Sequence, residues 1–175
     1  MKKYSTYSDE KLTSAVKSAD AAAFKELYYR YYKPLHSFIC LRTNSTELAP
    51  DFIQEVFTRL WQNRDKLIPE NSVKAYLYKI ANNLIIDFFR KKNTERTYLA
   101  EKSSATILQT DNLLESVSDI NFAIQNLPEN CRIVFMLSRY QNLTYLEIAK
   151  ALNISIKTVE ARMSQALKIL RTELL

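Results

Sequence analysis

Apolar residues recur at helical spacing through most of residues 8–92, with an interruption expected at Pro34 and a polar break, QNRDKLIPENS, over residues 62–72. That half of the chain predicts three or four packed helices. Over residues 93–118 the sequence NTERTYLAEKSSATILQTDNLLESVS is rich in Ser, Thr, Asn and charge, and its apolar residues form no sustained stripe, as in a flexible linker. From Asp119 the pattern resumes, broken at Leu127-Pro128, around Gln141-Asn142 and at Asn153, which predicts about four short helices. The expected architecture is all-α: two small helical domains, residues 1–92 and 119–175, joined by the linker at 93–118.

Composition sharpens this picture. The chain contains no Gly and only four Pro, so few residues suit tight hairpins, while an apolar content of 47% is enough for packed cores. Lys and Arg number 25 against 19 Asp and Glu, a net charge of +6 that favours a polyanionic partner. Cys40 and Cys131 lie far apart in apolar surroundings and His36 is the single histidine, so neither a zinc cluster nor a disulfide framework is predicted. Reduced thiols, no metal and no cofactor are expected. The opening MKKYSTYSDEKL lacks the apolar core of a signal peptide, and no uninterrupted apolar stretch reaches membrane-spanning length, so a cytoplasmic location is expected.

The clearest chemical pattern lies near the carboxyl end. Thr144, Tyr145, Leu146 and Glu147 read as a capping box opening a short helix that ends near Leu152. Asn153 then falls where a turn between helices needs a left-handed residue. Ser155 can cap a second helix, whose Val159, Met163, Ala166 and Leu170 share one face and would pack on Ile148, Ala149 and Leu152. The opposite side gathers Lys157, Thr158, Ala161, Ser164, Gln165 and Lys168, with Arg162 on its flank and Glu160 at the rim. Such a set suits base edges and phosphates in a major groove.

Two further segments carry distinctive faces. In SVKAYLYKIANNLIIDFFRKK, residues 72–92, Val73, Leu77, Ile80, Leu84 and Phe88 form a core-facing stripe. Across the wheel lie Tyr78, Lys79, Asn82, Ile86, Phe89 and Arg90, with Lys74 alongside, an interleaving of rings and cations fit to stack unpaired bases and hold phosphates. Tyr78, Ile86 and Phe89 are equally suited to packing on a neighbouring helix. In DFIQEVFTRLW, residues 51–61, Phe52, Ile53, Val56, Phe57, Leu60 and Trp61 are expected to be buried. Asp51, Gln54, Glu55 and Thr58 remain outside, an acidic and polar strip better suited to a protein partner than to DNA, unless it simply faces solvent.

Taken in order, these segments resemble the extracytoplasmic-function group of the sigma-70 family over nearly the whole chain. AFKELYYRYYKPLHSFI, residues 23–39, and DFIQEVFTRLW look like the first helix of region 2 and the helix that docks on polymerase. AYLYKIANNLIIDFFRKK, residues 75–92, is similar to the promoter-melting and minus-10 helix, with Asn83, Asp87 and Arg90 matching the usual pattern and Asn82 standing where Arg is common. Residues 127–171 resemble region 4, whose helix-turn-helix reads the minus-35 element; Glu160 and Gln165 stand where many relatives carry Arg or Lys.

The resemblance implies a promoter-directing subunit with no catalytic residues and no small-molecule substrate. Its implied partners are core RNA polymerase (the beta-prime clamp and the beta flap), promoter DNA and an anti-sigma factor, often membrane-linked. Asp51, Gln54, Glu55 and Thr58 would meet polymerase. Lys74, Tyr78, Lys79, Asn82, Asn83, Phe89 and Arg90 would meet minus-10 DNA, and a base-capturing loop is implied within residues 63–71. There is no room for a large central region 3, whose place the linker would take.

Two other readings compete. A helix-turn-helix regulator binding duplex DNA as a dimer accounts for the carboxyl half but leaves the acidic strip and the aromatic surface of the first half unexplained. A nucleic-acid enzyme would need a phosphate-cradling Gly loop, a metal-ligand cluster or a histidine near suitable carboxylates, and the sequence offers none.

Overall fold

The computed structural model describes residues 2–100 and 119–174. The described residues are helical apart from turns and short connections: α1 Lys2–Ser5, α2 Asp9–Lys17, α3 Ala21–Thr43, α4 Ala49–Gln62, a 3-10 turn Arg64–Lys66, α5 Val73–Ala100, α6 Asp119–Asn126, α7 Glu129–Arg139, α8 Tyr145–Leu152 and α9 Ile156–Leu174. They divide into two compact units, the first holding α1 to α4 and α5 up to Ile85, the second holding α6, α7 and α9. The all-α expectation holds.

In the first unit α3 is the central strut. At 23 residues and 1.5 Å per residue it is about 34 Å long, and α1, α2 and α4 all pack against it. Its buried residues, Leu27, Tyr31, Leu35, Phe38 and Ile39, lie on both sides of Pro34. That burial explains why the expected interruption does not occur. Proline removes one hydrogen bond and strains the preceding turn, yet the flanking side chains are held in the core and the helix runs through. A polar clasp reinforces the same turn: the Asp9 carboxylate accepts from Arg30 Nη1 at 2.6 Å and from the Tyr31 hydroxyl, and Arg30 Nη2 donates to the Tyr7 carbonyl at 3.1 Å. Burial and the Asp9 bond push the Tyr31 phenol up, so it stays a neutral donor.

In the second unit α6 and α7 pack on α9. Ala123, Ile124, Leu127, Cys131, Ala166 and Leu170 form a buried cluster, with Phe135, Met136 and Ile169 against it. Both cysteines are free thiols. Cys131 is buried, whereas Cys40 is only half-buried beside His36, with Sγ 3.5 Å from Nδ1.

A chain without Gly must still turn its helices. Among the described residues Ala19, Asn44, Asn142 and Asn153 adopt positive φ, between 51° and 63°. A side chain there costs roughly 1–2 kcal/mol, least for Asn. At Ala19 the helix end is closed by Asp20 N donating to Ala15 O at 3.1 Å and Ala19 N to Val16 O at 2.9 Å. These are the paired bonds that satisfy the last carbonyls of a helix.

Two expectations need correction. The helix opening at Val73 continues past Lys92 to Ala100, so the first part of the segment read as linker is helical; residues 101–118 lie outside the described residues. Asn82, placed by the sequence on an exposed face, is buried at 3% exposure, and Tyr78, for which packing on a neighbouring helix was the equal alternative, is buried at 0%. The reason is that α5 carries a second buried stripe, Tyr78, Asn82 and Ile85 at i, i+4 and i+7, beside Val73, Leu77 and Ile80 of the expected stripe, whose other members, Leu84 and Phe88, are only half-buried. The Tyr78 ring meets Phe38 of α3 edge-on, with centroids 5.1 Å apart.

Burial also strands the Tyr78 hydroxyl, which has no hydrogen-bond partner among the described residues, and pushes the phenol up. An unsatisfied buried hydroxyl costs about 1–3 kcal/mol. Tyr78→Phe is therefore expected to raise the thermal unfolding midpoint; a lowered midpoint would mean that the hydroxyl is satisfied by bound water.

Candidate nucleic-acid interface

The helix-turn-helix forms as its local chemistry dictates. The Thr144 amide donates to Glu147 Oε2 at 2.8 Å while the Glu147 amide donates to Thr144 Oγ1 at 3.3 Å, the reciprocal pair of a capping box. After α8, Asn153 turns left-handed at φ 56° and the Ile154 amide donates to Ala149 O at 3.0 Å. Ser155 Oγ then accepts from the Thr158 amide at 3.0 Å, capping α9. Val159, Met163, Ala166 and Leu170 of α9 are buried, as are Ile148 and Ala149 of α8, so the orientation of α9 about its own axis is set by its core stripe.

Of the outward set, Lys157, Ala161, Ser164, Gln165 and Lys168 are exposed, and so is Glu160. Thr158 and Arg162 are half-buried and stand apart from that strip. The Thr158 hydroxyl is 2.8 Å from that of Ser155 and belongs to the cap. Burial pushes the Cys131 thiol of α7 up, and the positive charge of Arg162 partly opposes that rise.

On α5 the broad ring-and-cation face contracts to a narrow one. Lys79, Asn83, Ile86 and Arg90 are exposed at i, i+4, i+7 and i+11, one line along the helix. Arg90 lies 3.6 Å from Asp87, an exposed contact of little strength. Lys74 and Phe89 are half-buried, and the Phe89 ring meets Phe88 edge-on at 5.5 Å. With Tyr78 in the core, the aromatic contribution to this face is smaller than its sequence implies.

On α4 Asp51, Gln54 and Thr58 are exposed, opposite the buried Ile53, Val56, Phe57 and Leu60. Glu55 is half-buried and its carboxylate accepts from Arg59 Nε at 2.7 Å, so the strip is less acidic than the count of carboxylates implies. Phe52 and Trp61 are half-buried rather than buried. Trp61 closes the edge of the core, its ring 5.0 Å from that of Phe24 and 4.9 Å from the Arg64 guanidinium.

A cleft of about 270 Å³ opens between α2, the segment after α4 and the start of α5, lined by Thr13, Asn63, Lys66, Leu67, Ile68, Asn71, Ser72, Val73 and Tyr76. It is just under the roughly 300–1,000 Å³ of drug-sized ligand sites. The sequence pointed to residues 63–71 only as a stretch. Thr13 and Tyr76 were missed because each reads as an ordinary position in an amphipathic helix. Among the described residues no group of His, Cys, Asp or Glu is arranged to hold a metal ion, and no helix is long and apolar enough to cross a membrane.

Comparison with known proteins bears on these surfaces. The family model for sigma-70 region 2 matches residues 27–95, and the model for sigma-70 region 4 matches residues 119–170. The RNA polymerase sigma factor SigZ of Bacillus subtilis (strain 168) is 28% identical over 142 residues, covering 81% of this chain and 81% of that protein. The ECF RNA polymerase sigma factor SigW of the same organism is 28% identical over 179 residues, covering 94% and 96%. Among solved structures, the sigma factor RpoE in complex with the anti-sigma factor NepR from Bartonella quintana shares the fold with a TM-score of 0.68 at 21% identity, over 86% of this chain and 96% of that one. CnrH in complex with the cytosolic domain of CnrY gives a TM-score of 0.68 at 23% identity, over 95% and 96%. With both region models matched in order and relatives aligned along most of its length, the chain belongs to the extracytoplasmic-function group of the sigma-70 family.

Proposed function

We propose that this chain binds core RNA polymerase and directs it to promoters by engaging a melted minus-10 strand with its first half, residues 1–92, and a minus-35 duplex with residues 119–175. The observation that carries this reading is the exposed strip Lys157, Ala161, Ser164, Gln165 and Lys168 on a helix whose opposite face is locked into a core. Lys157 and Lys168 hold phosphates, Gln165 reads a base edge, and Ala161 and Ser164 allow close approach to the groove. On α5, Lys79, Asn83 and Arg90, with Lys74 and Phe89 at the margin, hold the separated strand, and an extruded base enters the cleft beside residues 63–72. Base flipping costs a few kcal/mol, offset by ring contacts and by hydrogen bonds in the pocket.

Asp51, Gln54, Glu55 and Thr58 form the polymerase-docking strip. The protein contributes binding energy and no covalent step, works in the cytoplasm, and is regulated by an anti-sigma factor. Support for that regulator comes from the fold shared with Bartonella quintana RpoE, which is bound there by NepR. A dimeric DNA-binding regulator would use the same α9 strip but has no use for the docking strip on α4.

Sizing chromatography with cognate core polymerase separates the two readings. The wild-type chain is expected to co-elute, and an Asp51→Ala, Gln54→Ala, Glu55→Ala variant that remains folded is expected to lose co-elution. A wild-type chain that elutes apart from core would favour the dimeric regulator.

On duplex DNA, Lys157→Ala or Lys168→Ala is expected to weaken binding and reduce the slope of log K against log salt by about 0.9 for each lost phosphate contact. An unchanged slope removes that lysine from the interface. Gln165→Ala is expected to relax preference at one minus-35 position by about 1–3 kcal/mol in a promoter-library selection. Identical motifs for the two proteins would eliminate Gln165 as a reader.

A further inference from the structure

The cleft has a wall that neither family model covers. Region 2 is matched from residue 27 onward, yet α2, Asp9–Lys17, supplies Thr13 to the lining. Thr13 is 1% exposed and its hydroxyl donates to the Asp9 carbonyl at 2.7 Å, so it offers the cleft no free polar group and serves as a fixed wall. One turn further, the Lys17 ammonium donates to the Leu67 carbonyl at 2.8 Å, across fifty positions of sequence. Leu67 follows the 3-10 turn Arg64–Lys66 and is 7% exposed, whereas the next residue, Ile68, is 55% exposed. The hydrogen bond is therefore made where the loop leaves the core, at the root of its free portion. That portion has few other ties: the Asn71 amide donates to Ile68 O at 2.9 Å, and the chain then enters α5 through Ser72, whose hydroxyl accepts from the Ala75 amide at 3.2 Å.

We propose that Lys17 is a positioning residue for base capture, fastening the 63–72 segment to α2 at Leu67 so that the cleft is formed before a base arrives. The inference rests on the sigma-factor reading of the cleft and extends the promoter-melting apparatus to a helix that precedes the matched region. The physical effect is preorganisation. A loop already held in its capturing shape loses less conformational freedom when the base enters, so affinity for the captured base rises without a direct contact. The ammonium also brings a positive charge beside a site that must accept a nucleotide. Lysine suits this role because its charge is carried by a long apolar stem that can lie along the helix surface.

The test uses holoenzyme reconstituted with cognate core polymerase and single-stranded oligonucleotides of the minus-10 region, either intact or carrying one abasic site at each position in turn. The readout is the ratio of affinities, intact over abasic, which does not depend on the fraction of active protein. Wild type is expected to discriminate at one position. Lys17→Met is expected to reduce that discrimination about five- to tenfold, the range for losing a charge-assisted hydrogen bond that is partly exposed to solvent. Lys17→Arg, which can still donate to the carbonyl, is expected to restore most of it, each variant being assayed below its own unfolding midpoint. Discrimination by Lys17→Met equal to wild type overturns the positioning role, as does a loss that Lys17→Arg fails to restore. Wild-type holoenzyme that discriminates at no position overturns base capture itself and this inference with it.

Discussion

Everything the carboxyl-terminal unit does depends on one backbone turn that a chain without Gly finds hard to make. Asn153 sits at φ 56° and lets the Ile154 amide close the end of α8 on Ala149 O. Only with that closure does Ser155 arrive where it can cap α9, and only then do Val159, Met163 and Ala166 face the core. The left-handed conformation costs Asn less than it would cost most side chains, because its short amide can bond locally. The same solution appears at Asn44 and Asn142, while Ala19 bears the conformation without that help.

Much of this was legible in the sequence because it is local. The capping box at Thr144 and Glu147, the Ser155 cap and the buried stripe of α9 all follow from residues within a turn or two of each other, and the structure contains each of them. What periodicity misjudged is non-local. A helical wheel for residues 73–92 cannot reveal how many neighbours surround the helix, so Asn82 was read as outward and Tyr78 left open between two surroundings, when α5 is in fact buried on two stripes. Likewise Pro34 is a breaker by its own chemistry, and only the buried residues on either side of it in α3 keep that helix whole. Composition misread residues 93–100, where polar content coexists with helix.

The candidate surfaces divide in the same way. On α9 the outward strip is the complement of a strong core stripe and its exposure was read almost in full; Thr158, which serves the cap, and Arg162 are half-buried instead. On α4, Asp51, Gln54 and Thr58 are exposed as expected, but Glu55 is half-buried and paired with Arg59, which the wheel does not show. The cleft is assembled from α2, the 63–72 segment and α5, elements whose meeting no single stretch of sequence encodes.

The exposed line Lys157, Ala161, Ser164, Gln165 and Lys168 has a consequence for how such a protein diversifies. Surface exchanges away from caps and core usually change stability by no more than about 0.5 kcal/mol. These side chains stand outside the packed stripe, so they can be exchanged almost without regard to folding. Under the proposed reading, in which this strip meets promoter DNA, promoter preference and fold are under separate selection on the two faces of one helix. After duplication of such a chain, one copy could drift to new target sites while its core sequence stayed recognisable.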